Sequence, residues 1–392
     1  MHVFISAGEP SGDLHGANLI RELKKLDPDV RLSGFGGDRM AAAGCQLLYP
    51  LCKHSVMWFL HVVKQIFTFI RLLDQARGFF REQRPDVVVV IDYPGFHWKL
   101  AERAKAEGIP VVYFVPPQIW AWAGWRVKKM RRLITHVLSA LPFEHEWLSK
   151  RGVRSTYIGH PYFDELADQR LNDAFLAAER ARPKRIIGIL PGSRNQEVTR
   201  NIPEMLRAAR IIHDARPDTR FLVAAFNEHQ AAIARDEAAR WQMRIEVRVG
   251  RTPEIIELAE CCVAVSGSVS LELMYRRTPA VIVYRLRRID RKVADVFMKV
   301  RFITLVNLLA DKEVYPEFLT DRDPSNRVAA RVLEWLDDPE KRESVKRELD
   351  ALCERVAQPG ACEKAARFVL DLASRPGDDQ YFTPISSRKL KS

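Results

Sequence analysis

The stretch Pro85-Asp86-Val87-Val88-Val89-Val90-Ile91-Asp92-Tyr93-Pro94-Gly95-Phe96 decides the fold. An unbroken β-branched run without polar alternation does not suit a sheet with one wet face; it reads as a parallel strand covered on both sides. Pro85-Asp86 before it and Asp92-Tyr93-Pro94-Gly95 after it are turn residues that bound the strand. Parallel strands need crossover helices, and the flanking sequence supplies the rhythm. An apolar run over 2–7 enters a Gly-rich loop and a helical stretch near 17–26. Residues 100–107 read as helix, and 111–115 and 137–141 as strands. This alternation predicts a doubly wound α/β sheet over 1–167.

The rhythm restarts beyond a polar, Ala/Arg-rich stretch at 168–184. Strand 185–190, helix 199–213, strands 221–226 and 245–249, helix 253–260, strand 262–266, helix 270–277 and strand 280–284 follow. The reading is α/β throughout: two Rossmann-like doubly wound domains facing a cleft, the first over 1–167 and the second over 184–324. C-terminal helices over 325–374 and a loose tail over 375–392 complete the chain. Ligands of such sheets bind beyond the carboxyl ends of the strands, so the loops there are where chemistry is expected.

Composition narrows the function. Hydrophobic residues at 47% and charged residues at 29% of 392 residues suit a globular protein, not a disordered or collagen-like chain. Lys+Arg exceed Asp+Glu by 62 to 50, and a net charge of +12 favours an anionic partner. The six cysteines form no Cys-x-x-Cys pair. Free thiols in a reducing cytosol are expected, and no metal site. The first residues lack the basic and apolar regions of a signal peptide, and no apolar run is long enough to span a bilayer.

Four loops are candidates. Ala7-Gly8-Glu9-Pro10-Ser11-Gly12-Asp13 opens a helix, but its spacing is not that of a dinucleotide fingerprint, and Glu9 and Asp13 disfavour a phosphate. A tight turn with Asp13 capping the helix is its plainer reading. Asp92, directly after the Val-rich strand, is placed to take a proton from a sugar hydroxyl or to bind it; an Asx-turn into Pro94-Gly95 is the alternative. Pro191-Gly192-Ser193-Arg194 combines small residues, a helix start and a guanidinium, which together suit a phosphate. A Ser-capped helix with a solvated Arg is the competing reading there. Ser266-Gly267-Ser268-Val269-Ser270-Leu271-Glu272 offers close backbone approach to a pyrophosphate, with Glu272 one turn into the helix. That Glu either meets ribose hydroxyls or complements the helix dipole.

Residues 55–73 carry apolar side chains at helical spacing, among them Trp58, Phe59, Val63, Ile66, Phe67 and Ile70, more than one core contact needs. Together with Arg126, Lys128, Lys129, Arg131 and Arg132 beside Trp120, Trp122 and Trp125, this pattern suits an anionic membrane surface. A buried helix and a solvated basic helix are the alternatives. No nucleic-acid motif accompanies the basic run, so no nucleic-acid partner is expected.

The ordered set A-G-E-P-S-G-D, G-F-G-G-D-R-M-A-A-A-G-C, P-D-V-V-V-V-I-D-Y-P-G-F, V-P-P-Q-I-W-A-W, L-P-F-E, Y-I-G-H-P, L-P-G-S-R-x-x-E-V, S-G-S-V-S-L-E and L-V-N-L-L-A resembles the lipid-A-disaccharide synthase family across about residues 3–315. The resemblance implies a metal-independent inverting glycosyltransferase of the GT-B arrangement, with no cofactor. Its substrates would be UDP-2,3-diacylglucosamine and 2,3-diacylglucosamine 1-phosphate, joined β-1,6 at the cytoplasmic face of the inner membrane, a homodimer being left open. It implies that Asp92 is the base. Gly192, Ser193, Arg194, Asn227, Gly267, Ser268, Glu272 and Asn307 would lie on the donor side, and Glu9, Ser11 and Asp13 on the acceptor side. Two departures lie on the acceptor side. The family's Val-Met-Gly-x-x-Glu reads Val56-Met57-Trp58-Phe59-Leu60-His61, and its I-D-A-P-D-F reads Ile91-Asp92-Tyr93-Pro94-Gly95-Phe96. A UDP-sugar 2-epimerase of the same architecture and a non-enzymatic basic binding protein are the alternatives. The apolar stretch argues against the first, and the paired loops at 191–194 and 266–272 against the second.

Overall fold

The computed structural model describes residues 1–52, 62–286 and 300–375. The chain divides into two compact units. One comprises Met1–Asp164 together with the described residues from Gln358 onward; the other comprises Glu165–Ala357.

The first unit holds a parallel sheet of β1 (His2–Ala7), β2 (Arg31–Phe35), β3 (Gln46–Tyr49), β4 (Val87–Ile91), β5 (Val111–Phe114), β6 (His136–Ser139) and β7 (Ser155–Tyr157). Their order is β3-β2-β1-β4-β5-β6-β7. The Val-rich strand is buried on both faces, as its composition requires. Val88 and Val90 pack with Phe4, Phe35, Phe80 and Tyr113 on one side. Val87, Val89 and Ile91 pack with Leu19, Ile20 and Leu23 on the other. Sequence reading misses β2, β3 and β7. The first is interrupted by Ser33-Gly34, and the last is three residues long and largely exposed, so neither carries a hydrophobic period.

The second unit repeats the plan with β8 (Arg185–Leu190), β9 (Thr219–Ala225), β10 (Glu246–Val249), β11 (Cys261–Ala264), β12 (Ala280–Arg285) and β13 (Glu317–Thr320), ordered β10-β9-β8-β11-β12-β13. Within the Ala/Arg-rich stretch lies the helix Asp173–Arg180. Its buried Glu179 pairs with Arg220 and with Arg248 at 2.9 Å. Burial alone would raise the Glu179 carboxyl, but hydrogen bonds from Arg220 and Arg248 outweigh it and hold the group below the usual carboxylate range.

The C-terminal helices do not stay together. Ser325–Asp337 and Pro339–Val356 belong to the second unit, whereas Ala361–Ser374 returns to the first and packs on the helix Pro10–Leu26. Ala365, Ala366, Val369 and Leu372 join that core. The Asp164 carboxylate accepts from the Gly360, Ala361 and Cys362 N–H groups at 2.6, 3.2 and 2.7 Å, satisfying donors that the start of a helix leaves unpaired.

Register places the loops. Ala7 pairs with Ile91, so the chain leaves β1 and β4 side by side where the strand order reverses. Leu190 pairs with Ala264, and β8 and β11 do the same in the second unit. Each unit therefore has one switch point, where an open α/β sheet opens a crevice.

Candidate active site

At the first switch point the backbone is strained. Asp92 and Tyr93 both have φ of 48°, and Val115, directly after β5, has φ of 51°. Left-handed geometry is costly for most residues other than glycine, and most of all for a β-branched one. Three such residues on adjacent strand ends persist only where the surroundings over-determine them. Here they do. The Asp92 carbonyl accepts from His97 Nδ1 at 2.6 Å and from the Tyr113 hydroxyl at 2.8 Å, and the Asp92 N–H donates to the Val115 carbonyl at 3.3 Å. His97 and Tyr113 are fully buried.

Burial pushes the His97 imidazole down to about 4, so it is neutral at pH 7. Since Nδ1–H donates to a carbonyl, Nε2 must accept, and the Ser6 hydroxyl donates to it at 2.9 Å. A relay from β1 through His97 thus pins the turn that carries Asp92, leaving its side chain half-buried. Tyr113→Phe is expected to remove one of the two donors to that carbonyl. It should cost about 1 kcal/mol of stability and lower turnover by about tenfold through looser placement of Asp92. Thermal denaturation and initial rates check this, and unchanged turnover would remove the positioning role.

The first loop packs against the same turn. A Cβ on Gly8 would lie 2.2 Å from the Tyr93 ring, which is why glycine stands there. Glu9, half-buried, is the N-cap of the helix Pro10–Leu26, and Ser11 is exposed in its first turn. Asp13 behaves differently from the acceptor-side expectation. It is buried, and its carboxylate accepts from the Gly37, Met40 and Arg39 N–H groups at 2.8, 3.1 and 3.1 Å. Its charge is committed to capping the helix Asp38–Ala42 rather than its own helix.

One carboxyl near Asp92 goes unread in the sequence. Glu144, in the L-P-F-E motif, is buried and accepts from Ser139 Oγ at 2.7 Å and Trp120 Nε1 at 3.0 Å. Burial, opposed by these hydrogen bonds and aided by the Asp92 charge, pushes it up to about 7. The motif's acid was visible; its burial, which comes from tertiary packing, was not.

At the second switch point Gly192 has φ of 124°, and its missing side chain leaves room for Glu197. The Glu197 side chain accepts from the Arg194 backbone at 3.3 Å and pairs with the Arg194 guanidinium at 3.0 Å. The Arg194 side chain is nevertheless 69% exposed at the start of the helix Asn195–Ala215. Ser193 is exposed beside it. Across the switch, Ser266 Oγ donates to the Ile303 carbonyl at 2.8 Å, and Ser270 Oγ to the Gly267 carbonyl at 2.8 Å. Gly267 and Ser268 thus lie in a tied-down turn ahead of the helix Val269–Tyr275. Glu272 is buried there, with Arg276 Nε at 3.3 Å. Asn227 is the N-cap of the helix Glu228–Arg240, its Oδ1 accepting from the Gln230 N–H at 2.9 Å.

Asn307 departs from the donor-side expectation. It is fully buried, and its amide is saturated within the protein. It donates to the Tyr315 carbonyl and Glu317 Oε1 at 2.7 and 2.8 Å, and accepts from the Val314 and Tyr315 N–H groups at 2.8 and 2.9 Å. It holds the loop before β13 and has no hydrogen-bonding position left for a ligand.

Of the apolar stretch, Trp58 and Phe59 lie outside the described residues, as do the side chains of Val63 and Ile66. In the helix Val62–Gln83, Leu72, Leu73, Ala76 and Phe80 enter the core, and Phe69 packs on Tyr93 and Phe96. Phe67 and Ile70 face outward at 71% and 50% exposure. In the same unit Trp122 and Trp125 are exposed, with the Arg126 guanidinium 4.9 and 6.0 Å from their rings. No helix of the described residues is long and apolar enough to cross a membrane. Among the described residues no cluster of His, Cys, Asp and Glu could hold a metal ion, and all six cysteines are free and buried.

Comparison with known proteins matches the profile of the lipid-A-disaccharide synthetase family to residues 3–372. A lipid-A-disaccharide synthase of Geobacter metallireducens is 31% identical over 374 residues, covering 95% of this chain and 97% of its own. Among solved structures, a UDP-GlcNAc 2-epimerase from Neisseria meningitidis bound to UDP-GlcNAc superposes with a TM-score of 0.59 at 11% identity, covering 95% of this chain and 99% of the other. The calicheamicin glycosyltransferase CalG4 superposes with a TM-score of 0.60 at 13% identity, covering 96% and 99%. At such identities these two structures speak to the fold alone: two Rossmann-like units of the GT-B class.

Proposed function

The chain belongs to the lipid-A-disaccharide synthetase family, and from that premise we propose what the switch point of each unit contributes to the reaction. The protein is a glycosyltransferase. It moves 2,3-diacylglucosamine from UDP to the 6-hydroxyl of 2,3-diacylglucosamine 1-phosphate, giving the β-1,6 disaccharide 1-phosphate and UDP. The observation that carries the reading is the pair of loops at the two sheet reversals, one presenting a carboxylate and the other a guanidinium at a helix start.

Asp92 takes the acceptor proton as the oxygen attacks the anomeric carbon from the face opposite UDP. Arg194 and the N–H groups opening the helix Asn195–Ala215 hold the charge that develops on the leaving diphosphate. Gly192, Ser193, Gly267 and Ser268 let the backbone approach it, Glu272 serves the ribose, and Asn227 borders the same loop. Glu9 and Ser11 face the acceptor. The reaction needs no cofactor. Incubation with both substrates should release UDP and disaccharide in equal amounts. Consumption of the nucleotide sugar without acceptor would indicate an isomerase instead.

The outward Phe67 and Ile70, with Trp122, Trp125 and the basic run 126–132, are the surface by which the protein rests on an anionic membrane, at the cytoplasmic face of the inner membrane. Rings and cations of this kind suit the headgroup layer. Replacing Phe67 and Ile70 by Ser should lower partitioning onto anionic vesicles by at least about tenfold, since each buried side chain contributes roughly 1.5–3 kcal/mol. Stability and UDP binding should hold, because both side chains are exposed in the protein alone. Unchanged partitioning in a vesicle sedimentation assay would remove this surface from the account.

A further inference from the structure

We propose that Gln230 is a positioning residue of the donor site: its side-chain amide locks the loop after β8 to the loop after β9, so that the cradle for the UDP diphosphate is preformed. The inference rests on the assignment of residues 192–194 to the diphosphate. Gln230 is 1% exposed, in the first turn of the helix Glu228–Arg240. Its Nε2 donates to the Ser193 carbonyl at 2.9 Å and to Asn195 Oδ1 at 3.2 Å. Its Oε1 accepts from the Phe226 N–H at 3.0 Å. One amide therefore satisfies groups on both loops, and both its donors are used.

The consequence is directional. The carbonyl and N–H of one trans peptide point in opposite directions. Fixing the Ser193 carbonyl on Gln230 therefore fixes the Arg194 N–H and the direction in which the Arg194 side chain leaves the loop. The backbone of Phe226, whose side chain is 70% exposed, is held by the same amide. Without that clasp the loop must be ordered by the ligand, and the ordering is subtracted from affinity. No sequence motif announces this, because the partners are 35 and 37 residues apart.

Two variants test it. Gln230→Met keeps the volume and removes every side-chain hydrogen bond. Gln230→Glu keeps an acceptor for the Phe226 N–H but sets a carboxylate oxygen against the Ser193 carbonyl. UDP dissociation constants by calorimetry, donor and acceptor KM, and thermal midpoints are measured on the full chain. Both variants should weaken UDP and raise donor KM by about tenfold, the equivalent of 1.4 kcal/mol. Acceptor KM should stay within about twofold, the split expected when only donor binding is lost. Either variant binding UDP within about twofold of the parent overturns the proposal, as does a joint rise of both KM values with a falling midpoint. A parent protein that binds no UDP overturns the donor reading itself, and the role of Gln230 with it.

Discussion

Asp92→Asn should lower turnover by about 10²–10⁴-fold while leaving UDP affinity unchanged, the loss typical of removing a positioned general base. The substitution isolates chemistry from backbone strain. Asp92 and Tyr93 are held in the left-handed region, which Asn tolerates better than nearly any other side chain. The donors from His97 and Tyr113 go to the backbone carbonyl, not to the carboxylate, so the turn survives the change. Glu144 is the other acid nearby, but it is buried with hydrogen bonds from Ser139 and Trp120. It therefore should not rescue the variant. Near-normal turnover in Asp92→Asn, measured as UDP formed per enzyme, would remove the base from the mechanism.

The second large effect is expected at the leaving group. Arg194→Met should lower turnover by about 10²–10³-fold, comparable with losing one preorganised donor to a developing oxyanion. Its folded state should hardly notice. The Arg194 side chain is 69% exposed and pairs with Glu197 three residues on; surface pairs of this kind contribute about 0–1 kcal/mol. A thermal midpoint close to the parent's beside a collapsed rate is the predicted signature. A midpoint that falls while turnover per folded molecule holds would make Arg194 a helix-start residue only.

The parts of this fold that the sequence announces are those whose environment is uniform. The Val87–Ile91 run is apolar on both faces because both faces are covered, and that is legible without knowing what covers them. The loops after β1, β4, β8 and β11 follow from it, since a parallel sheet puts its ligands at strand ends. β2 and the edge strands β3, β7 and β13 escape because pairing, not composition, makes them strands.

Site residues divide in the same way. Asp92 is read from its place after a strand. The uses of Asp13 and Asn307 are not, since each spends its polar atoms on backbone groups brought up by folding. Glu144 and Gln230 are silent for the complementary reason: their partners belong to other loops. Phe69 and Phe67 look alike in sequence and lie two positions apart, yet one packs on Tyr93 and the other faces outward. The return of the helix Ala361–Ser374 to the first unit has no local signal, because its amphipathic face fits any apolar groove.

The most direct measurement is the configuration of the new glycosidic bond in a single turnover, read by nuclear magnetic resonance of the disaccharide 1-phosphate formed from UDP-2,3-diacylglucosamine. A carboxylate base acting on the acceptor opposite a departing diphosphate permits one displacement with inversion, so an α-linked nucleotide sugar must give a β linkage, formed in step with UDP and only with acceptor present. An α linkage, or UDP formed without acceptor, would contradict it.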